Sequence, residues 1–235
     1  MTSTTPRIGI ATREGTAADN ADAAKVYQLA DGTVGAAVID GIGHGPHTSA
    51  TAPLLAEVAA RITARRGPLA GLLTAADLVA DPGADGREAD AVAVVAQITA
   101  DRSRIAWVGD CRAYTWDGED FTLHLRTTDQ TMGQWARIHH GVPIEVAEHH
   151  DAWVRVSLAT ATVTTTREVG LPEGVRLVLL LSDGVHGQAS HDDLTALVHE
   201  HANNPQALAD ALVAAAEADD DGYRDDATAI VIATQ

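Results

Sequence analysis

The stretch Leu177–Gly187, LVLLLSDGVHG, decides how the rest of the chain is read. Its five apolar residues in a row, stopped by a Ser-Asp-Gly turn, read as a buried strand over Leu177–Leu181. Asp183 stands at the tip of that strand. An ionised carboxylate left unpaired in an apolar setting costs several kcal/mol or shifts its pKa. Three other aspartates repeat the placement far away in sequence: Asp40 in VIDGIGHG, Asp110 in IAWVGDCRAY and Asp225 in YRDDATAIVI. A single Asp-Gly is ordinary turn chemistry. Four aspartates at strand ends or in glycine turns point instead to a shared site. Carboxylates that converge repel one another, and a hard divalent cation resolves the conflict, since oxygen-rich sites completed by water suit Mg²⁺ or Mn²⁺ rather than zinc.

Around this stretch the elements fall into an order. Strands are expected near Arg7–Thr12, Lys25–Leu29 and Thr33–Ile39, then a helix over His47–Arg66, where Leu54, Leu55, Val58, Ala59 and Ile62 recur at helical spacing and Gly67-Pro68 closes the element. A weaker helix is expected over Leu69–Val79, followed by a polar loop, DPGADGREAD, over Asp81–Asp90. Strands return at Ala91–Ile98, Arg104–Val108, Arg112–Trp116 and Phe121–Leu125, with turns short enough for antiparallel hairpins. Residues 127–171 lack sustained periodicity and read as an irregular flap over one end of the sheet. After Leu177–Leu181 come helices at His191–His201 and Pro205–Ala218, then a last strand at Ala227–Ala233. No internal repeat is visible. The pattern is that of an α+β arrangement, two sheets packed together under helices.

Composition narrows the function. With 235 residues, 46% of them hydrophobic, the chain can bury one large core and its length requires no second domain. Aromatic content of 3% means a core of Ala, Val, Leu and Ile, which suits helices packed closely on a sheet. The net charge of −17, from 33 acidic and 16 basic residues, argues against nucleic acid as a partner. It also repels anionic phosphosubstrates, so phosphate chemistry here requires local metal charge. The lone Cys111 forms no internal disulfide. With no signal-peptide pattern in MTSTTPRIGIATREG and no apolar run near the ~20 residues a bilayer needs, a cytoplasmic protein that neither spans nor enters a membrane is expected.

The ordered pieces VIDGIGHG, WVGDCRAY, LLLSDGVHG and DDATAIVI resemble the metal-dependent protein phosphatase (PPM, protein phosphatase 2C-like) family, and DNADA, residues 19–23, resembles its opening motif. The likeness covers nearly the whole chain. It implies a small bacterial-type member forming one domain over 1–235, a four-layer α-β-β-α sandwich of two mostly antiparallel sheets flanked by helices. Two or three Mg²⁺ or Mn²⁺ ions would sit at one end of it. Asp40 would bridge the two central ions with the Gly41 carbonyl as a further ligand, and Asp183 and Asp225 would complete the other shell. Asp22 would act through water, Asp110 would hold a weaker third ion, and Asp226 would support the set from behind. Two ions ~4 Å apart can activate a water for in-line attack on a phosphate ester while stabilising its oxygens.

No covalent nucleophile is then needed, and Cys111 is expected to be a small buried strand residue. The family often carries a phosphate-binding Arg five positions before the opening Asp. That position is Ala17 here, which leaves Arg13 as the candidate phosphate binder if the loop is longer. Ala21 stands where Glu or Gln is usual. His44, in a GHG form closer to the bacterial stress- and sporulation-signalling branch, is the candidate general acid, with a capping or packing role as the alternative. His139-His140, His149-His150 and Asp219–Asp221 are expected to be solvated. The leading expectation is a phosphatase acting on phosphoserine or phosphothreonine of a protein partner. The rival is a regulatory binding module of the same fold with weakened catalysis.

Overall fold

A computed structural model describes residues 6–17, 19–80, 89–118, 122–139 and 142–234. Its strands are β1 (Arg7–Arg13), β2 (Asp22–Gln28), β3 (Val34–Gly41), β4 (Ala91–Ile98), β5 (Arg104–Val108), β6 (Arg112–Trp116), β7 (His124–Leu125), β8 (Arg167–Gly170), β9 (Leu177–Leu181) and β10 (Ala227–Ala233). Its helices are α1 (Pro46–Arg66), α2 (Pro68–Ala76), α3 (Met132–His139), α4 (Ile144–Glu148), α5 (Asp183–His186), α6 (His191–His201) and α7 (Pro205–Ala214).

The strands form two five-stranded sheets, ordered β1-β10-β9-β6-β7 and β2-β3-β4-β5-β8. Every pairing among them is antiparallel.

Strand periodicity explains why the apolar runs are unbroken. Successive side chains point to opposite faces, and here both faces of the central strands are covered. Val34, Ala36 and Val38 of β3 meet Val178 and Leu180 of β9 and Ile230 and Ile232 of β10 in the layer between the sheets. Ala37 and Ile39 of the same β3 face the other way, onto Ala52, Leu55, Ala56 and Ala59 of α1 and Leu72 of α2. On the first sheet, Leu177, Leu179 and Leu181 turn outward to Leu194 and Val198 of α6 and Leu208 and Leu212 of α7. The result is the expected α-β-β-α stack, with alanines on α1 keeping that helix close to its sheet.

Several boundaries differ from the sequence reading. The second strand begins at Asp22 rather than Lys25, because Asp22 already pairs with Asp40 across β2 and β3. Helix α7 stops at Ala214 rather than Ala218, and the acidic run beyond it is an exposed turn in which Asp219 Oδ1 accepts from the amides of Asp221 and Tyr223. The expected irregular flap is ordered over much of its length. It holds α3 and α4, joined by the Thr131–Val154 bridge, and then β8, which adds an edge to the second sheet beside β5. Phe121, His140 and residues 81–88 of the polar loop lie outside the described residues. Among the described residues no helix is long and apolar enough to cross a membrane.

Candidate metal centre

The aspartates come together because strand ends come together. Asp22 opens β2, Asp40 is the second-last residue of β3, Asp110 follows β5, Asp183 follows β9 and Asp225 precedes β10. Two of these carboxylates therefore belong to one sheet and two to the other, with Asp110 in the turn between β5 and β6. Asp22 and Asp40 are direct cross-strand partners, a position at which like charges destabilise a sheet.

Two glycines permit the approach. Gly109 has φ 84°, the left-handed region that turns β5 into β6, and a side chain there would strike Val92. At Gly184 an added Cβ would lie 2.0 Å from the Asp226 carbonyl oxygen, so only glycine lets α5 sit against the start of β10.

The electrostatics record the crowding. Burial, then Asp183, Asp22 and Asp110, push the Asp40 carboxyl well above its ordinary range. Burial, then the Asp225 charge, raises Asp183. Burial raises Asp22 as well, against the hydrogen bonds it receives. Asp110 is pushed up to about 7, by burial first and then by Asp183 and Asp129. Among the charges acting on Asp40 that of Asp183 is the largest, so the two carboxyls face each other across the gap between the sheets.

Surrounding groups hold this set in place. Ser182 Oγ donates to Asp22 Oδ2 at 2.7 Å and accepts from the Thr228 amide at 2.9 Å. The Asp226 carboxylate takes the amides of Gly15 and Ala21, each at 2.7 Å, and so ties the loop between β1 and β2 to the start of β10. His186, one turn after Asp183, donates Nε2–H to the Asp110 carbonyl at 3.0 Å, and burial, then the Arg112 charge, pulls its pKa down to about 3. It is a neutral positioning ring. Asp129 engages Arg112 through both carboxylate oxygens, at 3.0 and 2.7 Å.

Of the residues singled out in the sequence, Asp22, Asp40, Asp110, Asp183 and Asp225 share this end of the sandwich. Gly41 adjoins them, its amide donating to the Ala21 carbonyl at 3.2 Å. His44 stands at the rim, Nε2 3.1 Å from Tyr223 Oη, and the Asp225 charge acts on that phenol. Burial, then Asp225, raises the Tyr223 phenol to about 12, so it stays protonated. Cys111 is fully buried, with a thiol pushed up by that burial, in agreement with its expected inert role. His139 places Nδ1 on the Trp135 carbonyl within α3, and His149 and His150, just past α4, place theirs on the Glu145 and Val146 carbonyls of that helix.

Arg13 is a correction. Strand β1 continues through it, paired to Ala227, and its guanidinium Nη1 donates to the carbonyls of Val213, Ala214 and Ala216 at 3.4, 3.2 and 2.8 Å. It caps the C-terminal end of α7, where a cation is favoured, and has no place at the carboxylates. Asp129, Ser182, His186 and Tyr223 were not foreseen. Of these, Ser182, His186 and Tyr223 lay inside quoted motifs, and Asp129 did not.

Among the described residues no three Asp, Glu, His or Cys side chains close on one point as a cage. What the elements bring together is an open set of carboxylates, oxygen donors only. Such a set fits hard cations that keep water in their remaining positions, and its raised carboxyls mark the charge such ions would neutralise.

Comparison with known proteins places this geometry. The family model described as Stage II sporulation protein E (SpoIIE) matches residues 30–235. The fold is similar to that of the S. agalactiae serine/threonine phosphatase, with TM-score 0.83 and 18% identity over 98% of this chain and 100% of that one. It is similar to serine/threonine phosphatase Stp1 from Staphylococcus aureus, with TM-score 0.81 and 17% identity over 99% and 96%. It is also similar to the catalytic domain of the serine/threonine protein phosphatase PstP solved with two manganese ions, with TM-score 0.71 and 21% identity over 97% of each chain. No curated protein matches in sequence.

Proposed function

The chain belongs to the stage II sporulation protein E family, and from that membership we propose that it is a metal-dependent phosphatase that hydrolyses phosphoserine or phosphothreonine on a protein partner. The observation that carries this reading is the convergence of Asp22, Asp40, Asp110, Asp183 and Asp225 from both sheets, the carboxyls of the first four raised by burial and by one another. The cations nearest in sequence are engaged elsewhere, Arg112 by Asp129 and Arg224 by the Glu14 carbonyl. Asp40, Asp183 and Asp225 with the Gly41 carbonyl would hold two Mg²⁺ or Mn²⁺ ions, Asp22 would act through water, and Asp110 would hold a third ion.

When bound, these ions supply the charge that makes a water nucleophilic and stabilises phosphoryl oxygens in line with it. The chain's own groups do the rest. Ser182 orients Asp22, Asp226 fixes the loop that carries Ala21, and His186 steadies the turn at Asp110. His44, held by Tyr223 at the rim, is placed to give a proton to the departing alcohol. Residues 1–235 act as one unit, because the site needs both sheets, and the compartment that suits the lone buried thiol is the cytoplasm.

A second reading, a regulatory binding module with weakened catalysis, is favoured by the placement of Arg13 away from the carboxylates and by Ala17 and Ala21 in the opening loop. One experiment decides between them. After stripping with chelator, hydrolysis of an aryl phosphate and of a phosphothreonine peptide is measured with and without Mn²⁺. Turnover that appears only with Mn²⁺ establishes the phosphatase, whereas bound metal with neither substrate hydrolysed establishes the binding module.

A further inference from the structure

A second feature adjoins the carboxylates. Between α3 and the β5–β8 edge of the second sheet runs a cleft of about 620 Å³, and Asp129, which raises the carboxyls of Asp110 and Asp183, forms part of its wall. Gln130, also in the wall, accepts the Gly109 amide on Oε1 and donates its own amide to the Gly109 carbonyl, both at 2.9 Å, which sets the cleft beside the turn that carries Asp110.

Its lining differs from the surface around it. Trp135 and Ile138, three residues apart on α3 and so on one face, are 41% and 55% exposed. Arg155 lies with its guanidinium 5.6 Å from the centre of the Trp135 ring, and Arg167, at the start of β8, lines the same cleft. Both arginines are exposed, and among the described residues neither has a carboxylate within ion-pair distance. Two unpaired guanidiniums beside exposed aromatic and aliphatic surface stand out on a chain of net charge −17. Exposed apolar groups rimmed by charge mark binding surfaces, and unpaired arginines select planar carboxylates.

Resting on the phosphatase reading above, we propose that this cleft is the docking groove for the segment of the phosphoprotein that flanks the phosphorylated residue. The segment is acidic and carries an apolar side chain. Its phosphoresidue lies at the Asp40–Asp183 end, its carboxylates meet Arg155 and Arg167, and its apolar side chain covers Trp135 and Ile138. The selection is local. The protein's overall field repels acidic chains, so the two guanidiniums admit an acidic flank only in this one orientation.

Three phosphothreonine peptides of equal length, with acidic, neutral or basic flanks on both sides, test the proposal in Mn²⁺ at low salt. The acid-flanked peptide should show a KM lower than the neutral one by about tenfold, the size expected from two partly desolvated ion pairs. The double variant Arg155→Ala, Arg167→Ala should erase the difference, and Arg155→Glu, Arg167→Glu should turn the preference toward basic flanks. Aryl phosphate turnover should stay at the wild-type value in both. Equal KM values for the three peptides in the wild type, or a preference that survives the double variant, overturns the groove.

If the wild type hydrolyses neither aryl phosphate nor peptide, it is the phosphatase reading that falls. The groove is then judged by fluorescence anisotropy of the labelled acid-flanked peptide. Salt-sensitive binding lost in the double variant sustains it, and no binding sinks it. Sedimentation showing a dimer that the double variant dissociates would assign the surface to a second copy of the chain and overturn the proposal.

Discussion

Ser182 and Asp22 join the two sheets. The serine follows β9, the aspartate opens β2, and the 2.7 Å bond from Oγ to Oδ2 is fully buried. The same hydroxyl accepts from the Thr228 amide. Ser182→Ala therefore strands two buried groups at once. It should cost about 2 kcal/mol in denaturant unfolding and weaken Mn²⁺ binding by about tenfold in calorimetry. An unchanged midpoint would show that Asp22 has another support.

Asp40→Asn removes charge from the carboxylate that faces Asp22, Asp183 and Asp110. Turnover should fall by at least about a hundredfold and metal affinity with it. In the metal-stripped protein the same change should raise the melting temperature at pH 7.5, because it relieves repulsion. Wild-type turnover in this variant would refute the site.

The pH dependence of the metal-free protein follows from the direction of four shifts. Asp22, Asp40, Asp110 and Asp183 all have raised carboxyls, Asp110 reaching about 7. In the interval above the ordinary carboxylate range the folded chain keeps protons that the unfolded chain has released. Stability must therefore fall as pH rises toward 7. In chelator, thermal unfolding should occur at a lower temperature at pH 7.5 than at pH 5, and saturating Mn²⁺ should reverse the difference.

Asp110→Ala should leave two ions bound in calorimetry while lowering turnover, since Asp110 lies in the turn after β5 rather than on the facing pair of β2 and β3. Loss of all metal binding would make it a central ligand instead.

Arg13→Ala should leave kcat and KM unchanged and cost about 1 kcal/mol of stability, because the guanidinium serves the last carbonyls of α7. A rise in KM for the phosphopeptide would return Arg13 to the substrate.

The sandwich was legible wherever burial was two-sided. Ala91–Ile98, Leu177–Leu181 and Ala227–Ala233 are runs that only a covered strand tolerates, and the structure gives them the same bounds. The flap was not legible. Strand β8, Arg-Glu-Val-Gly, is an exposed edge with little apolar pattern, and α4 is five residues, too short for periodicity to register. The aspartates were visible because strand ends advertise them. Asp129 and Tyr223 were hidden because irregular segments carry them to the site from outside any strand, and nothing local marks such a residue. Arg13 was misplaced because the offset was counted along a loop, whereas the ladder with β10 extends one residue further and turns the side chain toward α7.

The position of β10 governs when this molecule can work during its synthesis. It is the last strand described, yet it lies between β1 and β9, and Asp225 leads into it. A ribosome that has delivered everything through α7 has made β1 without its partner and four of the five aspartates without the fifth. The first sheet can close, and the site can assemble, only when β10 emerges and slots between β1 and β9. A nascent chain thus cannot assemble the site until β10 has emerged, and a truncation before Ala227 leaves a split sheet with exposed edges, a substrate for quality control.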